Sequence, residues 1–118
     1  MKVLICGSRY WTDYNLIHDT LKPLPPDSLI ITGGARGADS SAKEAAKKLN
    51  LECKVIRAKW EVYGRSAGPI RNREMLDMKP DIVIAFHSDL AESRGTKDCV
   101  REAQRRGITV RIIGGVRR

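Results

Sequence analysis

"ITGGARGADSSAKEAAKKL", Ile31–Leu49, opens as an apolar run, breaks at a glycine-rich turn and resumes with small apolar residues at helical spacing. Ala38, Ala42, Ala45, Ala46 and Leu49 recur at intervals of 4, 3, 1 and 3, which is one face of a helix. The short, continuously apolar run before the turn has the character of a strand covered on both faces. The stretch is therefore a strand, a turn and a helix, and the fold depends on whether that unit repeats.

It does repeat. "KVLIC" (Lys2–Cys6), "SLIIT" (Ser28–Thr32), "CKVIRA" (Cys53–Ala58), "DIVIAF" (Asp81–Phe86) and "ITVRII" from Ile108 are predicted strands. Leu16, Ile17, Thr20 and Leu21 mark a helix face between the first two. "GPIRNREMLDMK" places Pro69 in a first helical turn, where a missing N–H costs nothing. "TKDCVREAQRRG" ends at Gly107, a predicted C-cap. This alternation predicts the α/β class: a single Rossmann-like three-layer domain over residues 1–118, with a parallel five-stranded sheet in the order 3-2-1-4-5. Connections in such a sheet reverse direction between strands one and four, and a ligand belongs beyond the carboxyl ends of the strands at that crevice.

Composition narrows the partners. The apolar fraction of 42% supports a core, and no stretch reaches the roughly 20 apolar residues of a membrane helix. "MKVLICGSRY" has the pattern of a strand rather than an export signal, so a cytoplasmic location without membrane contact is expected. Cys6, Cys53 and Cys99 are then reduced thiols, and they form no CxxC pair, so neither a metal nor a cofactor is expected. The net charge of +8 calls for an anionic partner. Its excess sits in the second half, with 7 basic and 3 acidic residues in 54–79 and 8 and 3 in 91–118.

Unusual chemistry collects where the sheet order places the ligand. "GSRYWTD" (Gly7–Asp13) follows strand one, "GGARGAD" (Gly33–Asp39) strand two and "HSDLAESRGT" (His87–Thr96) strand four. Glycines let the backbone take positive φ and let a ligand approach closely. Successive amides then form an anion-holding nest, and the following helix adds partial positive charge at its N-terminus. No GK[ST] is present, and a GxGxxG from Gly33 would need glycine at Ala35 and Ala38, so neither named phosphate motif applies. Arg71 and Asn72 lie one turn before the apolar Met75 and Leu76, which puts a guanidinium at the mouth of the same crevice.

The predicted ligand-binding residues are Gly7, Ser8, Arg9, Gly33, Gly34, Arg36, Gly37, Asp39, Arg71, Asn72, Gly95 and Thr96. Asp39 is either an N-cap or a contact to a sugar hydroxyl, with a general-base role as a further alternative. Asp13 is a predicted cap for the first helix. Arg73 is placed to pair with Asp77 at i+4, and "REAQRR" (Arg101–Arg106) is a solvated face with Glu102–Arg pairs. Tyr10, Trp11 and Trp60 suit either base stacking or packing under loops, and His87 is an ordinary loop histidine.

"GSR" at Gly7–Arg9, "GGARGAD" at Gly33–Asp39, "AGPIRNREM" at Ala67–Met75 and "RGT" at Arg94–Thr96, in that order, resemble the SLOG superfamily of Rossmann-like nucleotide-binding domains. Within it the chain is similar to the YspA, YpsA-related (YAcAr) group of bacteria and their phages. The resemblance implies a nucleotide or ADP-ribose-like phosphate ligand, bound by a sensor or processing domain. The Lonely guy phosphoribohydrolases of the same superfamily cleave the N-glycosidic bond of nucleoside monophosphates with a glutamate and a helix arginine. Cys99 stands at the glutamate position here and Asp98 is the neighbouring carboxylate, so the resemblance implies Arg71 with Asp98 or Asp39 as catalytic candidates of a hydrolase. "TGGARGAD" and "PIRNREM" also resemble the matching turn and helix of DNA-processing protein A, which implies single-stranded DNA as an alternative partner. A homodimer is expected from resemblance alone.

Overall fold

A computed structural model describes residues 1–87 and 94–114. Strands β1 (Lys2–Gly7), β2 (Leu29–Thr32), β3 (Glu52–Val55), β4 (Ile82–Phe86) and β5 (Thr109–Ile113) form one sheet in the order β3-β2-β1-β4-β5. Every neighbouring pair is parallel. Four main helices connect them: α1 (Tyr14–Leu21), α2 (Ala38–Lys48), α4 (Ala67–Asp77) and α5 (Arg94–Arg105). A single turn, α3 (Trp60–Tyr63), and a 3₁₀ turn at Gly64–Ser66 precede α4 and have no counterpart in the predicted elements.

Strand periodicity divides the core in two. Val3 and Ile5 point to one face of β1, Leu4 and Cys6 to the other. On the first face Ile17 and Leu21 of α1 and Ala38, Ala42, Ala45 and Ala46 of α2 cover Val3, Ile5, Ile30 and Phe86. The alanines have no bulk beyond Cβ, so α2 lies close on the sheet. On the second face Met75 and Leu76 of α4 and Cys99, Val100 and Ala103 of α5 cover Leu4, Ile31, Val83 and Ala85. Burying each of the larger aliphatic side chains contributes about 1.5–3 kcal/mol. The edge strands differ from the centre: β3 and β5 hold only exposed and half-buried residues, alternating in β3 and with Arg111 and Ile112 both exposed in β5.

Several local expectations have visible causes. Asp13 caps α1 by accepting from the Leu16 amide at 3.1 Å. Gly107, at φ +75°, ends α5, and the Ile108 amide returns to the Ala103 carbonyl at 3.0 Å. β3 stops at Val55, short of the predicted Ala58. The Ile56 amide makes one more bond to the Thr32 carbonyl, and Arg57 then turns its guanidinium to the Gly34 carbonyl instead of continuing the strand. Among the described residues no helix is long and apolar enough to cross a membrane.

Candidate functional site

The exits of β1 and β4 are locked together first. The Ser8 amide donates to the Phe86 carbonyl at 3.0 Å, so β1 and β4 separate only beyond that bond. Gly7 packs where a Cβ would press on Ala38 and on the Phe86 backbone, so it allows close approach between elements. The Ser8 carbonyl then accepts from the amides of Trp11 (3.2 Å) and Ala38 (3.0 Å). One carbonyl thus sets both the β1–α1 turn and the start of α2.

α2 begins without a side-chain cap. Gly37 occupies the N-cap position at φ +70°, and a Cβ there would lie 2.6 Å from the Arg9 carbonyl oxygen, so glycine is required by both conformation and space. Among the described residues, the amides of Gly34, Arg36, Gly37, Asp39 and Ser40 have no protein acceptor. These donors lie in the turn after β2 and in the first turn of an 11-residue helix. That is the arrangement in which backbone amides and the helix dipole favour an anion.

Asp39 enters this turn from the helix side. It is the second residue of α2, not its cap, and its carboxylate points back to accept from the Ala35 amide at 3.2 Å. The Gly33 amide and the Thr32 hydroxyl lie against it as well. Burial pushes the Asp39 carboxyl above its usual range, while the Ala35 amide and the Arg71 guanidinium act in the opposite sense. The carboxylate acts as an internal anion that shapes half of the turn and leaves the other amides facing outward.

Arg71 reaches the same turn from α4. Its Nη1 donates to the Gly33 carbonyl at 2.7 Å and its Nε to Asn72 Oδ1 at 3.0 Å. Its Nη2 has no protein acceptor among the described residues. Asn72 is buried, and its Nδ2 donates to the Gly95 carbonyl (3.1 Å) and to Asp98 Oδ2 (3.0 Å). A chain of bonds therefore runs from the turn after β2, through two consecutive residues of α4, to the first turns of α5.

The predicted residues thus separate by position. Ser8, Gly33, Gly34, Gly37, Asp39 and Arg71 converge on one turn. Arg9, which lies over the Tyr10 ring at 5.1 Å, and Arg36 stand exposed at its margin. Asn72 is buried behind it with its side-chain donors and acceptor engaged, which makes it a positioning residue for Arg71 and α5. Thr96 is buried and engaged, and Gly95 is exposed. Asp98 accepts from Asn72 and stands 3.9 Å from Arg73, at the seam between α4 and α5. Of the predicted turn His87–Thr96, residues 88–93 lie outside the described residues.

Two charge expectations are corrected. Arg73 does not pair with Asp77: its Nη1 donates to the Pro69 carbonyl at 3.0 Å, and its guanidinium faces Asp98 and Glu102. Asp77 instead takes Arg106 at 2.8 Å. Glu102 pairs with Arg105 and Arg106 as its spacing predicts, but it is buried rather than solvated. Those two guanidinium groups lower its carboxyl to about 2. The contribution of Arg57 was not anticipated, although its position at the carboxyl end of a predicted strand was the available signal. Among the described residues no group of three or more His, Cys, Asp or Glu side chains is placed to hold a metal ion.

Comparison with known proteins agrees with this fold. Residues 1–63 match the family model described as YAcAr, the YspA, cpYpsA-related SLOG family. The Gene 61 protein of Mycobacterium phage D29 is 40% identical over 122 aligned positions, covering 96% of each chain. In shape the chain is similar to DNA processing protein A (DprA) from Streptococcus pneumoniae, with a TM-score of 0.81 at 20% identity. That match covers 98% of this chain and 50% of the larger one, so the likeness is one of fold. The chain belongs to the YspA, cpYpsA-related SLOG family.

Proposed function

We propose that this SLOG-family domain binds a nucleotide or nucleotide-derived, ADP-ribose-like phosphate ligand at the carboxyl edge of its sheet, as a sensor or processing domain. The observation that carries the reading is the uncapped start of α2, where the amides of Gly34, Arg36, Gly37, Asp39 and Ser40 lack protein acceptors among the described residues. Arg71 stands across the same turn and adds a guanidinium whose Nη2 has no acceptor among the described residues. Isothermal titration with AMP, ADP-ribose and ribose 5-phosphate tests it. Saturable binding of at least one is expected, and failure of all three at millimolar concentration overturns the reading.

A second reading, single-stranded nucleic acid, is favoured by the exposed margin. Arg9, Arg36, Arg57, Lys59 and Arg65 are exposed after β1, β2 and β3, alongside Tyr10, Trp60 and Tyr63. Cations that follow a phosphate chain, interleaved with stacking rings, suit a strand. Sub-micromolar oligonucleotide affinity that falls steeply with salt supports this reading over a mononucleotide pocket.

Cleavage of an N-glycosidic bond draws less support. Such a reaction needs a carboxylate placed against an oxocarbenium-like state. Asp98 is held by Asn72, and Asp39 by the amides of its own turn. Incubation with nucleoside monophosphates is therefore expected to release no free base, and release above the uncatalysed rate would restore the hydrolase reading.

A further inference from the structure

Of the exposed large apolar side chains, Tyr10, Trp60, Val62 and Tyr63 all follow the carboxyl ends of β1 and β3. Trp60 opens α3 and is 58% exposed, although an indole is among the most costly surfaces to leave in water. The chain holds it there from both sides. Arg57, three residues earlier, donates to the Gly34 carbonyl at 3.2 Å. Gly68, against which the edge of the indole lies, comes three residues before Arg71, which donates to the Gly33 carbonyl. A Cβ at Gly68 would sit 3.4 Å from Trp60 Cη2, an ordinary contact distance, which places the edge of the ring against the start of α4.

These anchors bound the separation. Three residues of chain reach at most ~10 Å, and one helical turn rises about 5 Å, so the indole stands on the same rim of the sheet as the Gly33–Gly37 turn. Arg57, Lys59 and Arg65 surround it with exposed positive charge, which suits an anionic ligand rather than an apolar protein surface.

We infer that Trp60 is the platform on which the base of the ligand stacks while its phosphate occupies the turn at Gly34–Gly37. This rests on the function proposed above and deepens it. The ligand is a compound carrying an aromatic base as well as a phosphate, not a bare sugar phosphate. The base reaches the platform either in a free nucleotide or in a single strand. A flat, exposed ring beside a phosphate site accepts any base, because every base has a π-face. Trp60 therefore contributes affinity, and discrimination among bases falls to other groups.

The experiment titrates the full chain with AMP, ribose 5-phosphate and a short single-stranded oligonucleotide, by calorimetry and by tryptophan fluorescence. Trp11 is buried against Phe86, and so a change in emission reports on Trp60. AMP is expected to quench the emission and ribose 5-phosphate to bind without quenching. Trp60→Leu, an exposed substitution whose folding a thermal melt verifies, is expected to lose roughly tenfold in AMP affinity while keeping that for ribose 5-phosphate. Trp60→Phe is expected to retain most of the AMP affinity. Quenching by the oligonucleotide alone supports the platform and assigns the base to a strand. Equal AMP affinity in Trp60→Leu and the parent overturns the inference and leaves the phosphate site standing. So does a Trp60→Leu variant that changes only from dimer to monomer, which would make the patch a protein interface. If neither AMP nor ribose 5-phosphate nor the oligonucleotide binds the parent chain, the proposed function itself fails and the inference falls with it.

Discussion

Arg71 Nη1 donates to the carbonyl of Gly33 at 2.7 Å, joining two residues 38 positions apart across the mouth of the sheet. The bond fixes the guanidinium over the turn and turns one of the peptide dipoles of that turn toward α4. An arginine in the first half of a helix opposes the helix dipole, so it needs a local partner, and the Gly33 carbonyl supplies one.

Replacing Arg71 with alanine removes that bond, the bond to Asn72 and the one cation that reaches the turn from α4. Ligand affinity measured by calorimetry is expected to fall at least tenfold, at a stability cost of about 1 kcal/mol. Arg71→Lys keeps the charge but not the planar fork, and is expected to fall between the two. Unchanged affinity in Arg71→Ala removes Arg71 from the site.

Asn72 is predicted to act on stability first. Its buried amide satisfies the Gly95 carbonyl, Asp98 and Arg71 Nε together. Asn72→Leu keeps the branched outline of the side chain and removes the donor to the Gly95 carbonyl and Asp98 and the acceptor for Arg71 Nε, at a cost of about 2–3 kcal/mol. Urea denaturation checks the number. A variant as stable as the parent contradicts the positioning role.

These two neighbours also mark how far the letters alone reach. The strand order followed from alternating periods, and the convergence of "GSR", "GGARGAD" and Arg71 followed from the strand order. Asn72 lies on the predicted helix face, and only the packing of α5 on α4 shows that its side chain is bonded internally. Arg73 shows the same limit: its spacing offered Asp77 within one helix, and its partners came from the backbone and the neighbouring helix. Glu102 kept the partners its spacing offered, and only its burial was illegible. The α3 turn left no periodic signal in four residues, so Trp60 was open to packing or stacking until its exposure was known. Trp11 is the opposite case: it packs edge-on against Phe86 and donates to the Asp13 carbonyl.

Acid should act through Glu102. Its carboxyl is lowered to about 2 by Arg105 and Arg106, so the unfolded state binds the proton more readily. The stability it contributes is fully present above its unfolded value near 4.5 and is lost as pH falls toward about 2. Glu102→Gln is expected to flatten the melting temperature across that window. A slope identical to that of the parent contradicts the pairing.

Asp39 carries the opposite sign. Burial raises its carboxyl, so the folded state holds the proton more tightly and the contribution of Asp39 to stability declines as pH rises through its folded value. Asp39→Asn removes this decline. It also removes a negative charge from beside the proposed anion, so phosphate affinity at neutral pH is expected to rise by roughly fivefold. A loss of affinity would instead make the carboxylate a ligand contact.

Amide-resolved NMR of the uniformly ¹⁵N-labelled chain, titrated with AMP, addresses the phosphate turn most directly. The amides of Gly34, Arg36, Gly37, Asp39 and Ser40, which lack protein acceptors among the described residues, are expected to shift first and furthest. The Ser8 amide, already bonded to Phe86, is expected to move little. Saturating binding that leaves those five amides still, or moves only residues at the opposite edge of the sheet, would contradict the site.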